Sequence, residues 1–279
     1  MTDTSRRTVL AALATAAVSG SLLTGAGASP AYAADDYASN TDLYTRLAGR
    51  EGLDFARRYK RHETLDSSLG TAPRYPRTTV MALHGGGIEP GTSELCLAIA
   101  GYHPATFAVT PAGGPVYDYW MFEGLKSTGN GTMHVTSSHC DDGVALALAA
   151  GSLNVLSLHG CQADQAGAPA SRPEAVVVGG RNDRFKELLH TALGAAGFQT
   201  IDGSDVPDLA GVQPQNIANR TLLGMGGQLE ITTELRESMF GTFTRLGRPG
   251  STNEVFDRFV DAARGAVADL EATAGQIIL

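Results

Sequence analysis

Two histidines and one glutamate stand at positions where catalytic metal ions are often bound. His84 ends an apolar run that predicts a buried strand, and three glycines and an isoleucine separate it from Glu89. His159 ends a second apolar run and also precedes a glycine. Because ligands gather beyond the carboxyl ends of strands in α/β sheets, we expect these three side chains to lie close together. Two imidazoles, one carboxylate and an open position for water are typical of a catalytic zinc ion.

A second glutamate, Glu230, lies inside a third apolar run. A carboxylate in a buried strand is costly unless it is paired or functional. A metal ion lowers the pKa of its water, and a nearby carboxylate can accept the proton. We therefore predict Glu230 as the general base, and later as the acid that protonates a leaving amine. Each of these residues also has a structural alternative, such as a buried hydrogen-bonded histidine, a surface turn or a salt bridge with an arginine.

The elements that must position these residues alternate between strands and helices. Apolar runs predict strands at 78–83, 105–110, 154–158, 175–178, 198–201 and 227–232, and a strand end at 134–136. Helical spacing predicts helices at 41–49, 94–101, 141–150, 183–193 and 253–274. The type of the aromatic segment 117–122 stays open. This alternation predicts a single α/β domain with a mixed, mostly parallel open sheet flanked by helices.

The composition and net charge of the chain limit the kinds of molecule that it is expected to bind. The chain has 279 residues and a formal net charge of −8, which disfavours attraction to nucleic acid or to an anionic membrane. An anionic substrate would need local arginines. The three cysteines form no CxxC pair, so we expect either three buried thiols or one disulfide, with Cys140 and Cys161 as the favoured pair. We expect a monomer.

The first residues predict export. Arg6 and Arg7 form a twin-arginine pattern before an alanine-rich run, and 31–33 is a small-x-small cleavage site. We predict a twin-arginine signal peptide at 1–33, an N-terminal lead-in at 34–74 and a hydrolase domain at 75–279. A basic run at 57–62 in the lead-in is predicted as solvated surface. The mature protein is expected to be secreted, without stable membrane association.

Seven short motifs follow one another between residues 77 and 236. They are HGGGIE at 84–89, GTSE at 91–94, HVTS at 134–137, LHG at 158–160, VGG at 178–180, NIANR at 216–220 and QLEI at 228–231. As a set and in this order, they resemble the phage-type poly-γ-glutamate hydrolase family. The resemblance implies a zinc carboxypeptidase-like fold, one zinc ion and hydrolysis of γ-glutamyl amide bonds in poly-γ-glutamic acid. It also implies zinc ligands at His84, Glu89 and His159, and a catalytic glutamate at Glu230.

Such a substrate is an anionic polyamide or peptide whose carboxylates call for guanidinium partners. The pair Asn219 and Arg220 resembles the Asn-Arg pair with which carboxypeptidases hold a substrate carboxylate, and Arg236 is a second candidate. For each arginine a structural salt bridge is the alternative. His139 is predicted to line the cleft or to polarise the substrate carbonyl, with His134 as its rival.

Several alternatives stay open. Glu234 begins a Glu-Leu-Arg segment like that of zinc carboxypeptidases and rivals Glu230 as the base. Glu94 rivals Glu89 as a ligand, although its place in the first turn of a helix suits interaction with the helix dipole. The substrate could instead be a γ-D-glutamyl bond of peptidoglycan or an N-acyl amino acid. An exported binding protein that has lost activity is a further alternative.

Overall fold

The computed structural model describes residues 35–62, 78–110, 114–274 and 276. The predicted signal peptide at 1–33 lies outside these residues, as does the predicted boundary between lead-in and hydrolase domain. The strands of the described part are β1 (Phe55–Lys60), β2 (Thr78–Gly86), β3 (Asp118–Gly124), β4 (Asn154–Cys161), β5 (Ala175–Gly180), β6 (Gln199–Asp202) and β7 (Gly227–Thr232).

These strands form one seven-stranded sheet in the order β1-β3-β2-β4-β7-β5-β6. The four neighbours β3, β2, β4 and β7 run parallel, so that their carboxyl ends meet at one edge. β1 is antiparallel to β3, β5 is antiparallel to β7, and β6 is parallel to β5. The predicted mixed, mostly parallel open sheet is confirmed.

Helices cover both faces of the sheet. They are α1 (Asn40–Arg46), α2 (Thr92–Ala100), α3 (Gly143–Gly151), α4 (Asp183–Ala195), α5 (Thr233–Ser238) and α6 (Glu254–Glu271). α2, α4 and α6 pack on one face and α1 and α3 on the other. Within the described part of the chain, no helix is long and apolar enough to cross a membrane.

Burial on both faces explains why the central strands appear as continuous apolar runs. In β2, Val80 and Ala82 pack toward α2 and α6, whereas Met81 and Leu83 pack toward α1 and α3. Successive side chains of a strand point to opposite faces, so both sets must be apolar when both faces are covered. The same reason accounts for the correct prediction of β4, β5 and β7.

Three sequence expectations differ from the structure. The predicted strand at 105–110 is wrong, because Phe107 has a φ of +58° and its N–H donates to His103 O within a tight turn. The predicted strand end at 134–136 is wrong as well, since it is a loop between the short 3-10 helices Asn130–Met133 and Ser137–His139. The favoured disulfide is absent and the alternative of three buried thiols is confirmed, because all three cysteines are free and buried.

The predicted lead-in contributes an unpredicted strand to the sheet. β1 pairs with β3 along its whole length and forms one edge of the sheet. Only Phe55 of this strand is fully buried, and the basic residues after it are half-buried or exposed. An edge strand with a charged outer surface lacks the apolar signal on which the prediction depended.

Candidate active site

The end of β2 aims His84 into the site. Between Ala82 and Gly85 the register of β2 with β3 shifts, and such a bulge turns a side chain away from the regular pleat. A Cβ on Gly85 would lie 2.2 Å from Ser93 Oγ, and Gly86 has a φ of +66°. Ser93 Oγ in turn accepts a hydrogen bond from Gly86 N at 2.9 Å. The glycines therefore permit both the sharp turn and the close approach of α2.

After this turn, Glu89 folds back toward His84. Its backbone N–H donates to His84 O at 2.7 Å, and its Oε1 lies 2.9 Å from His84 Nδ1. The other carboxylate oxygen, Oε2, accepts a hydrogen bond from Gly160 N at 2.9 Å. One oxygen is thus held by the end of β4 while the other faces the histidine.

His159, near the end of β4, completes the cluster. Its Nδ1 lies 3.2 Å from His84 Nδ1 and 3.9 Å from Glu89 Oε2. One ligand atom from each of the three residues lies within 4.8 Å of the others, and the structure thus brings together all three predicted metal ligands. Both histidines are buried, and the carboxylate is nearly so.

Each histidine is oriented by a hydrogen bond on the far side of its ring. His84 Nε2 donates to Val135 O at 2.9 Å, because a carbonyl oxygen can only accept. His159 Nε2 lies 2.7 Å from Ser157 Oγ and 3.3 Å from Ser137 Oγ. Both rings therefore turn Nδ1 toward Glu89. Such outer partners orient the ligands of most histidine-bound metal sites.

The charges of this cluster are strongly coupled. Burial opposes the charge of Glu89, but the neighbouring imidazoles outweigh it and lower the Glu89 pKa to about 2. Burial also opposes charge on His84, yet the Glu89 carboxylate raises the His84 pKa above its ordinary value. Burial and the adjacent His84 lower the pKa of His159 to about 3. The cluster therefore favours an ionised Glu89 carboxylate beside an uncharged His159.

The residues fit a divalent metal ion. A neutral His84 with its proton on Nε2 directs a lone pair at Glu89 Oε1 and at His159 Nδ1, so three acceptor atoms face one another. Tetrahedral zinc ligands at about 2.1 Å from the ion lie about 3.4 Å from one another. The two separations from His84 Nδ1, 2.9 Å to Glu89 Oε1 and 3.2 Å to His159 Nδ1, lie near that value, and one ligand atom from each residue lies within 4.8 Å of the others. Two histidines and one glutamate are also the ligand set of several zinc hydrolases.

Glu230 lies beside this cluster, on the next strand. It pairs with His159 in the register of β4 with β7, and paired residues of neighbouring strands point to the same face. Burial and the nearby Glu89 carboxylate raise the Glu230 pKa well above its ordinary value. Gln228 Nε2 donates to Glu230 Oε1 at 2.8 Å, and Asn216 Nδ2 donates to Gln228 Oε1 at 2.8 Å. This chain of amides fixes the carboxylate in place.

Two predicted substrate-binding residues, Arg236 and Asn219, are buried and hydrogen-bonded to other groups of the protein. The buried Arg236 guanidinium donates to Pro90 O at 2.7 Å, to Ile231 O at 3.0 Å and to Thr233 Oγ1 at 3.0 Å. The Asn219 amide donates to two backbone carbonyls and accepts from two backbone N–H groups. Backbone groups thus take up most of the polar atoms of both side chains in this structure, and their role in substrate binding stays a prediction.

Arg220 and His139 remain accessible. Arg220 is exposed at the end of the 3-10 helix Ile217–Asn219, which contacts the 3-10 helix that carries His139. The His139 side chain is 56% exposed, and its Nδ1 lies 3.7 Å from Asp35 Oδ2. Both residues can therefore meet a ligand that approaches from solvent.

The rival glutamates are placed differently. Glu94, in the first turn of α2, accepts from Arg248 Nε at 3.1 Å, and Arg248 also donates to Gly86 O at 2.7 Å. Glu94 therefore supports the glycine turn and does not belong to the cluster formed by His84, Glu89 and His159. Glu234 lies in the first turn of α5, where its Oε2 is buried without a hydrogen-bond partner among the described residues. It is not a member of the cluster formed by His84, Glu89 and His159.

Sequence reasoning missed one residue of the site and undervalued another. The His134 ring contacts the His84 ring at a tilt of 30°, with 3.8 Å between ring centroids, and its Nε2 lies 3.9 Å from Glu89 Oε1. Asp35 Oδ1 lies 2.8 Å from His134 Nδ1. The HVTS motif pointed to His134, but no spacing in the sequence connects Asp35 with a residue that lies 99 positions away.

An open α/β sheet with two histidines, a glutamate and a separate buried carboxylate at its strand ends is typical of a metal-dependent hydrolase. The profile of the family described as Poly-gamma-glutamate hydrolase matches residues 58–262. The chain belongs to this family, and it is an enzyme of the hydrolase class.

Proteins of known sequence and structure agree with this assignment. The chain is 34% identical over 214 residues to the SPbeta prophage-derived UPF0714 protein YoqZ of Bacillus subtilis (strain 168), a match that covers 77% of this chain and 70% of YoqZ. It is 36% identical to YndL of the same organism over 65% of this chain and 64% of YndL.

Two solved structures share the fold. A bacteriophage poly-gamma-glutamate hydrolase superposes with a TM-score of 0.69 and 25% identity, over 85% of this chain and 98% of that chain. The zinc-free apo form of YndL superposes with a TM-score of 0.67 and 30% identity, over 85% of this chain and 99% of that chain. Both alignments extend over most of the described fold.

Proposed function

We propose that this hydrolase uses one zinc ion to cleave γ-glutamyl amide bonds of poly-γ-glutamic acid. The observation that carries the proposal is the convergence of three acceptor atoms, from His84, Glu89 and His159, beside the buried carboxylate of Glu230. A zinc-free apo form of the relative YndL supports zinc as the metal. Membership of the family supports the polymer as the substrate.

A zinc ion held by these three side chains would polarise the scissile carbonyl and acidify a water molecule. Glu230 then accepts a proton from the attacking water and returns it to the leaving nitrogen. Burial and the Glu89 carboxylate raise the pKa of Glu230, which makes it a stronger proton acceptor than an ordinary glutamate. Gln228 keeps the carboxylate oriented during the exchange.

Binding of the polymer requires local positive charge. With a net charge of −8, the protein as a whole repels a polyanion. Arg220 is exposed on the 3-10 helix next to the one that carries His139, and neither residue is held by a close hydrogen bond from its side chain within the described ranges. In this proposal Arg220 holds a free α-carboxylate of the substrate, with His139 at the edge of the cleft. Export through the signal peptide at 1–33 and action as a monomer outside the cell complete the proposal.

The test is incubation of the purified protein with poly-γ-glutamate, followed by the size distribution of the polymer. The proposal predicts shortening that stops when a chelator is added and resumes with zinc. His84→Ala should abolish both zinc binding and cleavage, whereas His103→Ala, in the loop 101–110, should leave both unchanged. Cleavage that persists in chelator would contradict the zinc mechanism, and an intact polymer alongside release from γ-D-glutamyl peptides would contradict the substrate.

A further inference from the structure

Asp35, the first described residue, contacts the loop at 134–136 next to the candidate site. Its Oδ1 lies 2.8 Å from His134 Nδ1, and its Oδ2 accepts a hydrogen bond from Thr136 N at 2.6 Å. The Asp35 side chain is only 9% exposed. Both carboxylate oxygens are therefore used within a single loop, which also supplies the Val135 carbonyl that orients His84.

His134 is more exposed to solvent than the two predicted metal-binding histidines beside it. Its side chain is 35% exposed, compared with 3% for His84 and 4% for His159. The ring contacts that of His84 at a tilt of 30°, and Nε2 lies 3.9 Å from Glu89 Oε1. Of the three histidines, His134 is thus the one that a substrate in the cleft would meet first.

The two hydrogen bonds of Asp35 determine which ring nitrogen of a neutral His134 carries the proton. Burial opposes the charge of Asp35, but the His134 and Thr136 donors outweigh it and lower its pKa to about 2. An ionised carboxylate only accepts hydrogen bonds, so His134 Nδ1 must be the donor. Nε2 of a neutral ring is then an acceptor on a side chain that is 35% exposed, 3.9 Å from Glu89 Oε1.

We propose that Asp35 is a positioning residue for the reaction, which holds His134 in the Nδ1–H form so that Nε2 accepts a hydrogen bond from an amide N–H of the substrate. The inference rests on the proposed function, because it needs a polyamide in the cleft. It makes the segment that follows the predicted cleavage site a part of the active site rather than a linker.

Asp35→Asn separates this role from general packing. Thr136 N–H can only donate, and an amide has a single acceptor oxygen, so that oxygen should turn to Thr136. The amide NH₂ then faces His134 Nδ1, and the ring must carry its proton on Nε2 in order to accept. The variant therefore reverses the tautomer with almost no change in size.

Asp36→Asn is the matched control. It removes the same charge from the adjacent residue, whose side chain is exposed and makes no hydrogen bond or ion pair with the described residues. The Asp36 backbone carbonyl, which accepts from Arg46 Nη1, is unchanged by the substitution.

The experiment records the tautomer of His134 by two-bond nitrogen–proton NMR on the chelator-treated full chain, with the signal assigned by its loss in His134→Gln. The proposal predicts the Nδ1–H form in the wild type and in Asp36→Asn, and the Nε2–H form in Asp35→Asn. With zinc restored, kcat/KM for poly-γ-glutamate should fall about 10- to 100-fold in Asp35→Asn at unchanged zinc content. Asp36→Asn should stay within twofold of the wild type.

An Nε2–H ring in the wild type, or a wild-type kcat/KM in Asp35→Asn, would overturn the proposal. If Asp35→Asn does not fold, the tautomer of the wild type still decides whether Asp35 holds His134 as described. If the wild-type protein leaves the polymer intact, the proposed function fails, and an Nε2–H ring would then also refute the Asp35–His134 contact.

Discussion

His84 and His159 each place Nε2 beside a hydrogen-bonding partner outside the cluster and Nδ1 toward Glu89. His84 is held by a backbone carbonyl and His159 by two serine hydroxyls, so neither ring needs the metal to keep its orientation. Pre-oriented ligands lose less conformational freedom when an ion binds. The sequence pattern located this cluster because His84 and His159 lie near the ends of strands that are buried on both faces, and Glu89 follows the first of these strands across a glycine turn.

Glu230→Gln tests the base. Loss of the proton acceptor should lower kcat about a hundredfold to ten-thousandfold, while the Gln228 hydrogen bond is kept. Glu237→Gln, an exposed site on α5, should leave kcat unchanged. Hydrolysis assays on the two zinc-loaded variants compare them. A Glu230→Gln enzyme with wild-type kcat would transfer the role to another carboxylate, with Glu234 the next to test.

The same substitution should change how stability depends on pH. The fold raises the pKa of Glu230, so the folded state binds this proton more tightly than the unfolded chain does. The contribution is favourable below the ordinary glutamate pKa of about 4.3 and is lost as pH rises toward the folded-state value. Urea unfolding of chelator-treated protein should therefore show that Glu230→Gln lacks this loss and gains stability over the wild type near pH 8. An equal pH dependence in both proteins would contradict the raised pKa.

A buried ion pair between Arg248 and Glu94 stabilises the turn between β2 and α2. Arg248, at the start of the 3-10 helix Arg248–Gly250 before α6, contacts both Glu94 on α2 and the Gly86 carbonyl of the turn. The sequence predicted a helix at 94–101 from its spacing, and α2 spans Thr92–Ala100. It could not predict Arg248, because its partners lie about 150 residues earlier in the chain.

Arg248→Met tests this support. It leaves the buried Glu94 unpaired and removes the donor to Gly86, and the expected loss in free energy of unfolding is about 3 kcal/mol. The additional change Glu94→Gln should recover part of that loss, since it removes the unpaired carboxylate. Arg245→Met, three residues earlier and exposed, should cost less than about 0.5 kcal/mol. Denaturant unfolding decides, and equal stability of Arg248→Met and Arg245→Met would contradict the supporting role.

Strand order brings the site together over the whole molecule. β2, β4 and β7 are adjacent and parallel, so the motifs at their carboxyl ends meet although they lie as much as 146 residues apart. Their local patterns are strong, and both the fold class and the residues that cluster could therefore be predicted. Asp35 and β1 could not, because their contacts are with distant partners and their own sequences are polar.

The same limit applies to Arg236 and Asn219, which were predicted from the sequence to bind substrate. Arg236 and Asn219 lie in motifs that resemble a carboxylate clamp, but local spacing does not reveal whether a polar side chain faces solvent or the backbone. In the folded molecule both side chains are buried and satisfied by backbone groups. Buried polar groups are nearly always paired in this way.

The most direct test of the central claim is a zinc titration of the chelator-treated protein, followed by its rate of poly-γ-glutamate cleavage. If His84, Glu89 and His159 hold one catalytic zinc ion, the rate should rise from near zero in proportion to added zinc and level off at one equivalent. A rate that is already full before zinc is added, or that never rises with zinc, would contradict a single-zinc hydrolase.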